Sequence, residues 1–113
     1  MILDTAAGIP VTKELLCNYF NNLVNLFFKI LPIREKEELS LVTYMKSLQI
    51  ELLGCKQLII ALNHDPYYLS LLAILQYLID NPGCQVGKVR REVFRAISLC
   101  NKLKAKYAAQ EVV

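Results

Sequence analysis

The stretch 63-NHDPYYLSLLAILQYLIDNPG-83 decides the fold of this chain. Near its start Asp65 is a favourable N-cap. Pro66 follows at the first helical position, where the missing N–H costs nothing. From there to Asp80 the apolar side chains form two adjacent stripes with the period of an α-helix, and polar residues are few. Residues 81–83, NPG, then turn the chain. The stretch therefore predicts a helix over 66–80 that is buried on most sides.

Prolines also mark the starts of helices in the rest of the chain. Four prolines, at positions 10, 32, 66 and 82, stand just before or inside the start of periodic segments. Together with the periodicity they predict helices over approximately 12–30, 34–62, 66–80 and 85–108, with residues 1–10 and 109–113 flexible. No alternating apolar and polar run indicates a strand. The expected fold is all-α, a single domain over 1–113 forming an antiparallel, up-down-up-down four-helix bundle.

The predicted helix over 34–62 carries a seam of apolar residues in steps of four and three, which is typical of packing against a partner helix. Gly54 stands in the middle of this helix, where glycine costs about 1 kcal/mol relative to alanine. The glycine indicates close approach by another helix. The seam residues are Leu41, Met45, Leu48, Leu52, Cys55, Ile59 and Leu62.

Apolar residues make up 55% of the 113 positions, a high share for one small domain. The helix over 12–30 is apolar around more than half of its circumference, which fits either a helix packed against two neighbours or a subunit interface. We expect a homo-oligomer, because a lone bundle has little interior for so much apolar surface. Aromatic and leucine side chains dominate interface cores, so the expected interface residues are Tyr19, Phe27, Tyr68 and Leu75.

The last predicted helix is strongly basic. Between positions 88 and 106 there are seven bases and one acid, against six bases and nine acids elsewhere. Five of the bases fall within about 60° of arc opposite the apolar side, along roughly 27 Å of helix. This basic face consists of Lys88, Arg91, Arg95, Lys102 and Lys106. It is either solvated, a surface for the phosphates of DNA or RNA, or a surface for an acidic protein partner.

Catalysis has little support in the sequence. His64 is the only histidine and stands beside Asp65 at a helix start, where neighbouring side chains seldom face each other productively. Glu35, Glu37 and Glu38 lie in a mixed-charge stretch typical of a solvated helical turn. The cysteines at 17, 55, 84 and 100 have no metal-site spacing, and no glycine-rich phosphate loop is present. We therefore expect no enzyme activity, catalytic residue, metal, cofactor or small-molecule substrate.

The function expected from these patterns is non-enzymatic: a helical bundle that self-associates or docks on a protein partner. The alternative is an oligomeric accessory protein that binds DNA or RNA phosphates through the basic face without sequence preference. Scattered free thiols and the absence of a basic leader favour a cytoplasmic protein. A membrane-surface role is not expected, because the apolar side of the basic helix is needed for the core.

Overall fold

The computed structural model describes residues 2–3, 11–36, 38–83 and 85–109. Apart from one two-residue strand pair, the described chain is helical. Strands β1 (Ile2–Leu3) and β2 (Val11–Thr12) pair antiparallel, with Ile2 opposite Thr12. The helices are α1 (Lys13–Phe28), α2 (Ile30–Lys36), α3 (Glu38–Leu58), α4 (Ile60–Asn63), α5 (Pro66–Asp80) and α6 (Val86–Ala108).

Two helices begin at the side-chain caps that the sequence indicates. The Thr12 hydroxyl accepts a hydrogen bond from the N–H of Leu15 (3.2 Å) and caps α1. The Asp65 carboxylate accepts from the N–H of Tyr67 (2.9 Å) and caps α5, whose bounds coincide with the predicted range. Such caps satisfy N–H groups that have no partner inside the helix. By contrast, Gln85 before α6 makes no side-chain cap.

The prediction of one continuous helix over 34–62 is wrong. The structure ends α3 at Leu58 and begins the single turn α4 at Ile60. Ile59 leaves the helical conformation (φ −101°, ψ 107°) between α3 and α4. Two consecutive β-branched residues, Ile59 and Ile60, have low helix propensity, and the chain must reverse before α5 begins. The apolar period continues across this break, which is why periodicity alone did not reveal it.

Helices α1, α2, α3, α5 and α6 pack together, and contacts between the long helices give their directions. Lys13 at the start of α1 lies beside Ala108 at the end of α6 (3.4 Å), whereas Phe28 at the other end of α1 meets Phe94. Helices α1 and α6 are therefore antiparallel. Equivalent contacts make two further pairs antiparallel. Helices α6 and α5 are joined by Lys106–Asp65 and Lys88–Tyr77, and helices α3 and α5 by Leu52–Tyr68 and Gln49–Gln76.

The core runs along the inner faces of these helices. The predicted seam of α3 lies in it: Leu41, Met45, Leu48 and Leu52 are buried, and Cys55 is half-buried. Burial of this apolar surface is the main stabilising contribution to such a fold. The molecule measures 47 × 24 × 19 Å, so the helices pack side by side along one long axis.

Candidate functional site

Helix α6 separates its apolar and basic residues onto opposite sides. Its inner side contributes buried residues to the core, including Val93, Ala96 and Leu103. On the other side Arg91, Arg95, Lys102 and Lys106 are exposed, and Lys88 is half-buried. The five predicted basic-face residues therefore stand along one surface of α6, where it borders α5.

Glu92 is a buried carboxylate beneath this basic face. Its side chain is 5% exposed and forms salt bridges with two of the five bases, Lys88 (3.3 Å) and Arg95 (2.7 Å). The spacing i, i+3 and i, i+4 on a helix brings such charges together. In the sequence Glu92 stands out only as the single acid of a basic helix. Its spacing from Lys88 and Arg95 could nevertheless have predicted the two salt bridges.

Asp65 is the second buried carboxylate of the surface. Besides capping α5, it accepts hydrogen bonds from the Lys106 ammonium (2.7 Å) and the Tyr107 hydroxyl (2.8 Å). Burial alone would raise the pKa of Asp65, but the bonds from Lys106, Tyr107 and the Tyr68 N–H outweigh it and lower the pKa. The Asp65 oxygens thus hold α5 to α6, while His64 lies exposed in the turn before it.

These two carboxylates leave the basic face with a net positive charge. Five bases and two acids give a formal charge of +3. Within the described part of the chain, Arg91 and Lys102 form no salt bridge. The basic face is therefore neither a row of five free cations nor a neutralised surface.

Two exposed tyrosines of α5 flank the basic face, and the sequence analysis missed them. The Lys88 ammonium lies 5.3 Å from the ring centre of Tyr77, and those of Lys102 and Lys106 lie 5.9 and 5.7 Å from that of Tyr67. Both rings are exposed. The bases come from α6 and the rings from α5, so the periodicity of a single helix could not join them. We call the depression between these helices the α5–α6 groove; part of it, about 280 Å³, is lined by Ser70, Ala73, Ile74, Tyr77, Lys88, Glu92 and Arg95.

The structure places the four residues expected at an oligomer interface in or against the core of the single chain. Phe27, Tyr68 and Leu75 are fully buried within the single chain, and Tyr19 is half-buried against the core. Each lies on the side of its helix that faces the core.

An exposed apolar surface lies on α3. Ile50, Gly54 and Leu58 follow one another at i, i+4 and i+8, which places them in a line on the side away from the core. Ile50 is 71% exposed and Leu58 is 41% exposed, with Leu53 (41%) beside them. We call these four residues the α3 outer face.

Gly54 has no close neighbour within the described residues. A methyl group added there would meet nothing within 4 Å. Among the described residues no other helix of the chain approaches Gly54 closely, and approach by a helix of another chain stays a prediction. The glycine instead leaves a shallow gap in an exposed apolar line.

The thiols of Cys17 and Cys100 are covered by the protein to different degrees. Cys100 is buried, which raises its pKa to about 12, and the Cys17 thiol donates to the Lys104 carbonyl (3.7 Å). Within the described residues no group of three His, Cys, Asp or Glu side chains could hold a metal ion. Cys84 and the side chains of Glu35, Glu37 and Glu38 lie outside the described residues.

Comparison with known proteins yields no relative: no family model, curated protein or solved structure matches the chain. No described helix is both long enough and apolar enough to cross a bilayer. The interpretation of function consequently rests on the two surfaces described above, the α3 outer face and the basic face with its tyrosines.

Proposed function

We propose that this chain is a non-enzymatic binding protein that self-associates through the α3 outer face. In this proposal α1, α3, α5 and α6 form a four-helix bundle of up-down-up-down topology, which agrees with the antiparallel contacts between them. The observation that carries it is the exposed line Ile50–Gly54–Leu58 on a helix whose opposite side fills the core. The free thiols also fit a reducing compartment such as the cytoplasm.

The α3 outer face is self-complementary about Gly54. If two copies cross antiparallel at this glycine, Ile50 of each copy meets Leu58 of the partner subunit, four residues either side of the crossing. This is the isologous contact of a twofold dimer. Gly54 has no side chain to separate the two backbones, so the two helices can approach closely. This contact between chains would explain why a glycine, which destabilises a helix, stands at this position. Full burial of an exposed aliphatic side chain contributes about 1.5–3 kcal/mol, and the twofold doubles each contact.

Size-exclusion chromatography with light scattering tests the proposal. We expect the parent chain to run as a dimer at tens of micromolar, and Ile50→Asp with Leu58→Asp to run as a folded monomer. The matched control is Leu15→Asp, which places an acid at another exposed leucine, on α1 (60% exposed). A parent that stays monomeric, or a dimer that survives the double substitution, contradicts the proposal.

A second candidate function is binding of nucleic-acid phosphates by the basic face. It is favoured by the net positive charge that remains after Glu92 and Asp65 are counted, with Arg91 and Lys102 exposed and free of salt bridges to described residues. Such a surface binds polyanions by releasing counterions. Dimerisation would place two basic faces on one particle and increase the avidity.

The variant that tests this candidate is Arg91→Glu with Lys102→Glu, because neither side chain carries a salt bridge that its removal would break. Arg95 is a poor choice, since it holds the buried Glu92. Binding to mixed-sequence DNA and RNA, followed by fluorescence anisotropy, should be lost at moderate salt while helicity is kept. Lys29→Glu with Lys46→Glu makes the same charge change at exposed sites away from the basic face and should bind more tightly than the first variant. Equal loss in both variants, or no binding by the parent at low salt, counts against a specific role of the basic face.

A further inference from the structure

The α5–α6 groove combines two features that phosphate binding alone does not need. Tyr67 stands near one end and Tyr77 near the other, ten residues apart on α5 and thus about 15 Å along the helix. Their rings are 37% and 39% exposed although α5 is the most apolar of the four long helices α1, α3, α5 and α6. Bases of α6 lie beside both rings, and Arg95 lines the groove between them.

Exposed aromatic rings beside cations are the elements that bind unpaired nucleic acid. A single strand exposes the flat faces of its bases, which stack on aromatic side chains, while its phosphates follow the positive charge. A duplex hides those faces inside its own stack and offers the protein mainly phosphates and groove edges. The tyrosines therefore favour a single strand over a duplex.

We propose that the α5–α6 groove binds a short single-stranded segment of DNA or RNA, with one base stacked on Tyr67 and another on Tyr77. Arg91, Arg95 and Lys102 contact the phosphates between them. The inference rests on the second candidate function above and narrows its ligand. A separation of about 15 Å corresponds to roughly four steps of 3.4 Å in a stacked strand, and to fewer in an extended one.

The lysines beside the rings do not prevent stacking. Their ammonium groups lie 5.3–5.9 Å from the ring centres, a distance at which the attraction is weak at exposed sites. A flexible lysine can move from the ring to a phosphate when a strand enters. Lys106 is the exception, because it is held by the buried Asp65 and stays at its place beside Tyr67.

Tryptophan reporters test the stacking directly. The chain has no tryptophan, so Tyr77→Trp and Tyr67→Trp each introduce a single tryptophan, whose fluorescence can be excited separately from that of the tyrosines. We expect an oligonucleotide of about ten mixed bases to quench both strongly. Phe94→Trp is the control: Phe94 is exposed on the opposite edge of α6, where it packs edge-on against Phe28 (5.8 Å). Quenching at position 94 equal to that at 67 and 77, or none at any position while the strand binds, overturns the proposal.

Affinity measurements separate this inference from the function on which it rests. Tyr67→Leu and Tyr77→Leu should each weaken binding of the single strand about fivefold or more, and leave binding of the matched duplex and of heparin nearly unchanged. Phe94→Leu should change none of them. If the parent binds duplex or heparin as tightly as the single strand, and the tyrosine variants match it, only phosphate binding survives and the groove proposal fails. If it binds none of these, or only an acidic peptide, both the function and the inference fail.

Discussion

At the scale of single residues, the Asp65 carboxylate joins two helices. One buried carboxylate caps α5 and holds both the Lys106 ammonium and the Tyr107 hydroxyl of α6. The two α6 residues are 41 and 42 positions away in the chain. Asp65 therefore stabilises both its own helix and the packing of α5 against α6. The sequence predicts the first contribution, the helix cap, but not the second.

Replacing Asp65 by alanine should destabilise the fold by about 2–4 kcal/mol. The estimate adds a lost helix cap to a buried tyrosine hydroxyl left without its acceptor. Urea unfolding followed by circular dichroism measures it. Asp80→Ala is the control, because Asp80 is exposed at the far end of α5; a loss at Asp65 no larger than at Asp80 would show that the buried network contributes little.

The lowered pKa of Asp65 makes part of this stability depend on pH. A carboxyl whose pKa is depressed in the folded state contributes stability above its unfolded pKa, about 3.9, and loses it as pH falls through the folded pKa. Asp65→Asn keeps a capping oxygen but does not titrate. The difference in unfolding free energy between parent and Asp65→Asn should therefore shrink as the pH is lowered from 5 towards 2. A difference that stays constant across this range would contradict the assignment.

Tyr19 and Tyr107 offer a contrast between two buried hydroxyls. The Tyr19 hydroxyl has no hydrogen-bond partner among the described residues, whereas that of Tyr107 donates to Asp65. An unsatisfied buried polar group is costly, and a satisfied one is costly to remove. Tyr19→Phe should be neutral or stabilise the chain by about 1 kcal/mol, and Tyr107→Phe should destabilise it by about as much. Thermal unfolding of the two variants would contradict this if the signs were reversed.

At the scale of elements, α3 differs from the other long helices because its outer side carries large aliphatic residues around a glycine. Helix α6 shows the opposite arrangement, with charges outside and a continuous apolar side within. Both helices contribute to the core, so the outer side of each is free to serve another purpose. We propose self-association for the outer side of α3 and polyanion binding for the outer side of α6.

Gly54→Ala should stabilise the isolated chain by about 0.8–1 kcal/mol. Glycine in a helix interior costs this much relative to alanine, and the added methyl group meets nothing within the chain. Unfolding at sub-micromolar concentration, where a weak dimer is dissociated, measures the effect. The same substitution should weaken the dimer, because it fills the gap through which the two backbones approach. Destabilisation at low concentration would mean that Gly54 already has a close neighbour within one chain.

At the scale of the whole molecule, local signals in the sequence predict individual helices well and their mutual placement poorly. The α5 helix was predicted with correct bounds because Asp65, Pro66 and the NPG turn are local signals. The break at Ile59 was missed because the apolar period continues across it. Phe27 and Tyr68 were expected at an interface because an apolar helix surface looks the same in sequence whether it packs within the chain or against another chain.

The candidate sites show the same contrast between features set by one helix and features set by the placement of two helices. The basic face of α6 follows from the period of one helix, so the sequence predicts it residue by residue. Its alignment with Tyr67 and Tyr77 depends on the rotation of α5 about its own axis, which no local pattern gives. Glu92 is an intermediate case. Its spacing from Lys88 and Arg95 could be predicted from the sequence, but its burial could not.

The most direct test of the proposed function is a dilution series followed by ¹H–¹⁵N NMR on the parent chain, because it identifies the contact surface as well as the association. We predict that amide signals shift with concentration along the α3 outer face, around Ile50, Gly54 and Leu58, and that those of the buried core stay unchanged. The Gly54→Glu variant should show no such shifts, since it brings two acids together at the crossing point. Spectra of the parent that do not change with concentration, or changes that cluster on α1 or α6, would contradict self-association through α3.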